Sequence, residues 1–198
     1  MANTDIPNGL TPVRYQGSAC NTGAVNLYYI PATDNTAVYV GGLVKLAGSA
    51  DAEGVPSVTG NVATSNVVVG VVASFDPVLG AGANGRDSTV YRAASTERYV
   101  YVFDDPNMLF EVQDDASATL AATNVGMVAD LTGLTSGSTA TGRSAIEISA
   151  TTATATGDGT EDVLIMGLVR RPDNEIGDHA KWIVRLNNHA YVDGNTGA

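Results

Sequence analysis

The stretch RYVYVFDDPNMLFEVQD, residues 98–114, decides how this chain folds. Tyr99, Val100, Tyr101, Val102 and Phe103 on one side, and Met108, Leu109, Phe110, Glu111 and Val112 on the other, suit a pleated, half-buried surface. Between them stand Asp104, Asp105, Pro106 and Asn107. Proline fixes φ, and Asp and Asn side chains bond the local backbone, so these four residues signal a turn. The pattern predicts a β-hairpin over residues 98–114.

Similar signals recur along the chain. Residues 25–30, 37–40, 43–46 and 67–75 read as strands, as do 163–169 and 182–186, the last two bracketing a loop at 171–177. Helical spacing of apolar residues is scarce, and the Ala-rich stretch 116–124 is the best candidate for a short helix. Tracts of Thr, Gly and Ser at 136–144 and 151–160 read as loops or exposed strands. Short strands with so little helix predict an all-β fold, a small β-barrel or jelly-roll-like sandwich with at most one or two short helices. Gly42, Gly70, Gly126 and Gly167 each precede an apolar residue and a valine, as glycines do at bulges and barrel corners.

Residues 1–23 differ from the rest. Pro7, Pro12, Gly9, Gly17 and Gly23 deny this segment a helix, and Ile6, Leu10, Val13 and Tyr15 are too few to form a core alone. An extended N-terminal arm that gains order by lying on something else is expected, followed by one β-rich domain over 24–198.

At 198 residues the chain is long enough to bury roughly 70% of its unfolded surface in one domain. Ten Lys and Arg against twenty-one Asp and Glu give a net charge of −11, which repels phosphates, so no direct nucleic-acid binding is expected. Residues 1–10 show no cationic and apolar leader pattern, and no apolar run approaches the roughly 18 residues of a membrane helix. A soluble protein made in a cytoplasm is expected, with no membrane partner. The single Cys20 cannot form an internal disulfide and is expected to be a small buried or half-buried apolar residue.

Motifs that could carry chemistry are each outweighed by a simpler reading. Gly80, Gly82 and Gly85 spell G-x-G-x-x-G, with Asp104 and Asp105 about twenty residues further on. The dinucleotide fingerprint needs a helix to open at its last glycine, whereas residues 86–102 have strand character, so a flexible loop is expected. Asp104, Asp105, Asp114 and Asp115 could bind calcium or act as an acid and base pair, but they stand where turns favour Asp for backbone reasons. Asp158, Glu161 and Asp162 read as a solvated turn. His179 and His189 lack a further ligand pattern for zinc, and no G-x-S-x-G elbow is present. Trp182 alternates with Val184 and Leu186, which places it in a core if the segment is a strand. No catalytic residue, metal or cofactor is expected, and the chain reads as non-enzymatic.

The opening Ile6, Pro7, Asn8, Gly9, Leu10, Thr11, Pro12, Val13 and Arg14 resembles openings found in head decoration, or cement, proteins of tailed bacteriophages. The same holds for Asp104, Asp105 and Pro106 with Phe110, Glu111, Val112 and Gln113, and for the ending Lys181, Trp182, Ile183, Val184, Arg185, Leu186, Asn187, Asn188 and His189. The resemblance implies a virion structural protein, made in the host cytoplasm, that sits on the outer capsid surface and clamps neighbouring major capsid subunits. It also implies a homo-oligomer, often a trimer. Ile6, Leu10, Val13, Arg14 and Tyr15 are then the expected arm contacts, to the capsid or between subunits. The alternatives are another virion position, such as tail or neck, and a carbohydrate-binding or adhesive β module that uses Tyr28, Tyr29, Tyr39, Tyr91, Tyr99 or Tyr101. The enzyme alternative is a β-fold hydrolase built on the acidic pairs.

Overall fold

In the computed structural model, residues 3–17, 20–79, 86–87 and 90–192 are described. The chain is all-β, and its strands form a small closed barrel, an open five-stranded sheet packed against it and two further two-stranded sheets. In order they are β1 (Thr11–Tyr15), β2 (Asn26–Ile30), β3 (Leu43–Ala50), β4 (Pro56–Thr59), β5 (Gly70–Phe75), β6 (Val78–Leu79) and β7 (Arg86–Asp87). There follow β8 (Arg98–Phe103), β9 (Met108–Gln113), β10 (Val128–Ala129), β11 (Leu131–Thr132), β12 (Glu147–Ile148), β13 (Val163–Leu168) and β14 (Lys181–Leu186).

The barrel runs β2-β4-β3-β5-β8 and closes on itself. Its interior holds Tyr28, Ile30, Val38, Val44, Val58, Val69, Val72, Val100 and Val102, all buried. Five strands enclose less space than the eight whose side chains just fill a barrel, which suits valine. Each such side chain contributes about 1.5–3 kcal/mol on burial. The first residues of β3 and β5 are buried on both faces: Val44 and Val72 point into the barrel, while Leu43 and Val71 join a second core. The near-continuous apolar run at 67–72 has this cause.

The second core lies between the barrel and the antiparallel sheet β1-β9-β14-β13-β10. Alternation delivers Met108, Phe110 and Val112 from β9, Trp182, Val184 and Leu186 from β14, and Val163 and Ile165 from β13. Trp182 is fully buried, where its alternation places it. Gly167 stands at a register shift between β13 and β14, as a glycine in a bulge does.

The hairpin expected over residues 98–114 does not form. The turn is present, with Met108 N–H donating to Asp105 O at 3.0 Å and Asn107 N–H to Asp105 Oδ1 at 2.7 Å. The chain changes sheets there: β8 pairs with β2 and β5 inside the barrel, and β9 pairs with β1 and β14. Closing the barrel uses both edges of β8, so none is left for β9. Gly70 permits the crossing, because a Cβ there would fall on the carbonyl oxygen of Phe103.

Three smaller expectations are also corrected. The stretch 116–124 yields only a 3₁₀ turn at Ala122–Asn124, because Asp114 and Asp115 accept the N–H groups of Ala116 and Ser117 and hold local turns in place of a helix. Residues 37–40 make isolated bridges from Val38 and Val40, and no strand. Cys20 is exposed, in a bridge to Arg14 beyond the outer edge of the sheet.

Candidate functional site

The N-terminal segment is fastened to its own chain. β1 lies along β9 as the outermost strand of the sheet, with an irregularity between Pro12 and Arg14. Leu10 is 1% exposed within the second core, so its side chain serves this chain's own packing and is not offered to a neighbour. Tyr15 is half-buried against the same core. Ile6 (53% exposed), Val13 (39% exposed) and Arg14 face outward.

A polar clasp secures the arm just before β1. Gln113, at the end of β9 and almost fully buried, accepts the N–H of Ile6 on its Oε1 at 3.0 Å. Its Nε2 donates to Asp5 Oδ1 at 2.8 Å and Glu147 Oε1 at 2.9 Å, and lies 3.4 Å from His179 Nδ1. Burial, reinforced by the charges of Asp5 and Asp115, raises the Glu147 carboxyl above its ordinary value. Donor atoms of Asp5, Glu147 and His179 lie within 4.8 Å of one another, a group whose chemistry could hold a metal ion. The amide nitrogen of Gln113 bonds the two carboxylates directly, so the cluster works as a hydrogen-bond hub. Asn3 adds a further tie, donating to the carbonyls of Glu175 and Asp178 and accepting from Glu175 N–H. No spacing signal in the sequence links residues so far apart.

The acidic pairs do not meet. Asp104 accepts from Asn26 Nδ2 and the Tyr28 hydroxyl at the barrel, while Asp114 sits at the far end of β9. A strand of that length spans about 20 Å, beyond the roughly 5–9.5 Å that glycoside hydrolysis needs between carboxylates. Asp114 is wholly buried and accepts from His179 N–H at 3.0 Å, Ala116 N–H at 3.1 Å and Trp182 Nε1 at 3.1 Å. Burial raises its carboxyl above the ordinary value, against the lowering effect of those bonds. Asp162, expected in a solvated turn, is instead buried. Its two oxygens accept Ser65 N–H at 3.0 Å and Leu131 N–H at 2.9 Å, which ties the sheet to the barrel side of the molecule. Both aspartates are structural pins. The G-x-G-x-x-G stretch, residues 80–85, lies outside the described residues.

One open groove of about 420 Å³ offers a surface for a ligand. Tyr29 and Tyr99, partners across β2 and β8, form its aromatic floor with ring centroids 5.3 Å apart. Asp51, Glu53, Asp76 and Glu97 rim it. The Tyr99 hydroxyl donates to Asp51 Oδ2 at 2.5 Å and the Tyr29 hydroxyl to Glu97 Oε2 at 3.1 Å. The hydrogen bond to Asp51 pushes the Tyr99 hydroxyl up to about 12. Beneath the rim Arg98 is buried, its guanidinium bonded to the Asp76 and Tyr91 carbonyls. Of the other tyrosines named above, Tyr28 and Tyr39 are buried and Tyr91 and Tyr101 half-buried. Comparison of the chain with protein-family models, with curated proteins and with solved structures finds no match.

Proposed function

We propose that this chain is a non-enzymatic structural protein of a virion, a decoration or cement protein that binds the outside of a tailed-phage capsid and clamps neighbouring major capsid subunits. The observation that carries this reading is the N-terminal segment. It is clasped to a two-core body, yet leaves Ile6 exposed just before the outermost strand of the sheet and Val13 and Arg14 exposed on it. An outermost strand with exposed apolar residues is a ready surface for another chain. Several weak contacts of this kind, made by one oligomer to several coat subunits, gain avidity through effective concentration. The resemblance of the opening, central and ending stretches to phage decoration proteins supports the same reading.

The test is binding of purified protein to shells that lack it. Ile6→Asp together with Val13→Asp, or Arg14→Glu alone, is expected to abolish or strongly weaken capture while leaving the fold intact. Full binding by all of these variants would remove the arm from the mechanism. Deleting the whole segment is a poorer test, because Leu10 belongs to the core.

A second reading is favoured by one specific observation, the groove with two tyrosine rings and a carboxylate rim, which has the composition of a sugar-binding surface. Glycan-array binding lost on Tyr29→Ala or Tyr99→Ala would support a carbohydrate-binding or adhesive module. A tail or neck position is the competing assignment within the virion.

A further inference from the structure

We propose that Asp5, Glu147 and His179 form a binding site for one transition-metal dication of the Zn²⁺ class, which staples the N-terminal arm to the sheet. The three residues come from three segments: Asp5 from the arm before β1, Glu147 from β12, and His179 from the loop that leads into β14. One ligand atom from each lies within 4.8 Å of the other two. Zn–O and Zn–N bonds of about 2.0–2.2 Å put neighbouring ligands on a tetrahedral ion roughly 3.4 Å apart. Asp5 Oδ1 and His179 Nδ1 stand 3.7 Å apart, close to that separation. The Asp5 side chain is 60% exposed, so its carboxylate has room to close the rest.

Gln113 orients these groups and leaves them able to bind. Its Oε1 accepts the Ile6 N–H, which fixes the amide with Nε2 toward the cluster. An amide nitrogen carries two hydrogens, and the carboxylate oxygens of Asp5 and Glu147, at 2.8 and 2.9 Å, take both. For His179 Nδ1, at 3.4 Å, no amide hydrogen remains, so in the neutral ring with its proton on Nε2 that lone pair is open to a cation. Each carboxylate oxygen keeps a second lone pair. Carboxylates that ligate metals are commonly hydrogen-bonded by outer partners that hold them in place, and Gln113, only 3% exposed, stands in that position.

Charge supports the site independently of its geometry. Among the described residues no Lys or Arg forms an ion pair with Asp5 or Glu147, and His179 is the basic group beside Asp5. Burial, with the charges of Asp5 and Asp115, already holds the Glu147 carboxyl above its ordinary value. A dication neutralises both carboxylates, which the neutral amide of Gln113 cannot do. One imidazole with two carboxylates suits Zn²⁺ and its first-row neighbours, whereas Ca²⁺ and Mg²⁺ take oxygen ligands. Such an ion ties residue 5 directly to residues 147 and 179 and tightens the clasp on Ile6. The site needs only the folded chain and stands apart from the capsid reading.

Isothermal titration of the full chain, stripped with a chelator, against Zn²⁺, Ca²⁺ and Mg²⁺ is the test, with hydrogen exchange of the Ile6 amide followed by NMR alongside. One Zn²⁺ per chain is expected at micromolar concentration, bound at least tenfold more tightly than Ca²⁺ or Mg²⁺. Asp5→Asn, Glu147→Gln and His179→Asn should each weaken Zn²⁺ binding at least tenfold, while Asp158→Asn, at an exposed acidic turn, should leave it unchanged. Asp5 is exposed, and asparagine tolerates the left-handed backbone at position 179 (φ 59°), so those two variants keep the fold. Zn²⁺ should slow exchange at Ile6 at least tenfold in the parent and not in Asp5→Asn. No saturable Zn²⁺ binding, binding indifferent to the three substitutions, or Ca²⁺ bound as tightly as Zn²⁺ would overturn the site. Zn²⁺ bound with no slowing at Ile6 would overturn the staple.

Discussion

Asp114 should be a highly sensitive buried position. Its Oδ1 accepts the N–H groups of Ala116 and His179, and both residues hold left-handed backbone, with φ of 52° and 59°. Each such conformation costs a non-glycine residue about 1–2 kcal/mol, so the carboxylate fixes two strained turns and, through Oδ2, the indole of Trp182. Asp114→Ala strands three donors at about 1–3 kcal/mol each. Because two are only partly buried, a combined loss of about 3–5 kcal/mol is expected. Asp114→Asn keeps the Oδ1 acceptor but turns an amide N–H toward the indole N–H, for a loss of about 1–2 kcal/mol. In a chain of this size those values lower Tm by about 6–20 °C and 2–8 °C respectively. Urea melts followed by far-UV circular dichroism and by the fluorescence of Trp182, the single tryptophan, would measure both. Asp158→Asn, at an exposed turn, serves as the control and should fall within about 0.5 kcal/mol of the parent. An Asp114→Ala chain equally close to the parent would refute the pinning role.

Two further expectations follow from buried polar groups. Arg92, fully buried, donates to the carbonyls of Thr96, Thr36, Pro31 and Asp34, and Arg92→Lys leaves at least one of them unmet. A loss of about 2–4 kcal/mol in chemical denaturation is expected. His189 is wholly buried, and burial lowers its pKa below the ordinary 6.5, against the raising pull of Asp104 and Asp105. The folded state then binds fewer protons than the unfolded one, so its contribution is complete above pH 6.5 and is lost as pH falls from there through the folded value. The stability difference between parent and His189→Asn should accordingly shrink on acidification below pH 6.5, and a difference that is flat across that range would contradict the assignment.

Much of the architecture was legible because strand signals are local. The alternation of Trp182, Val184 and Leu186 and the valine run at 67–72 both report burial directly. The crossing from β8 to β9 was not, since Asp104, Asp105, Pro106 and Asn107 specify a turn but not which edges the flanking strands find. The close approach of Gly70 to Phe103 that permits the crossing is a contact between distant segments. The same limit applies to the clasp: Asp5, Gln113, Glu147 and His179 come from four separated segments, and only the fold brings them together. Asp114 and Asp162 look like ordinary turn aspartates because their partners, an indole and distant backbone N–H groups, leave no local trace.

A clamp must travel with the shell it clamps. Gradient sedimentation of a lysate from the source system, with mass spectrometry to count this chain against the coat protein in each fraction, tests that most directly. A capsid decoration protein comigrates with DNA-filled shells in many copies and is depleted from them by Ile6→Asp with Val13→Asp. A chain found only among free soluble proteins, with shells intact and complete without it, would contradict the proposed function.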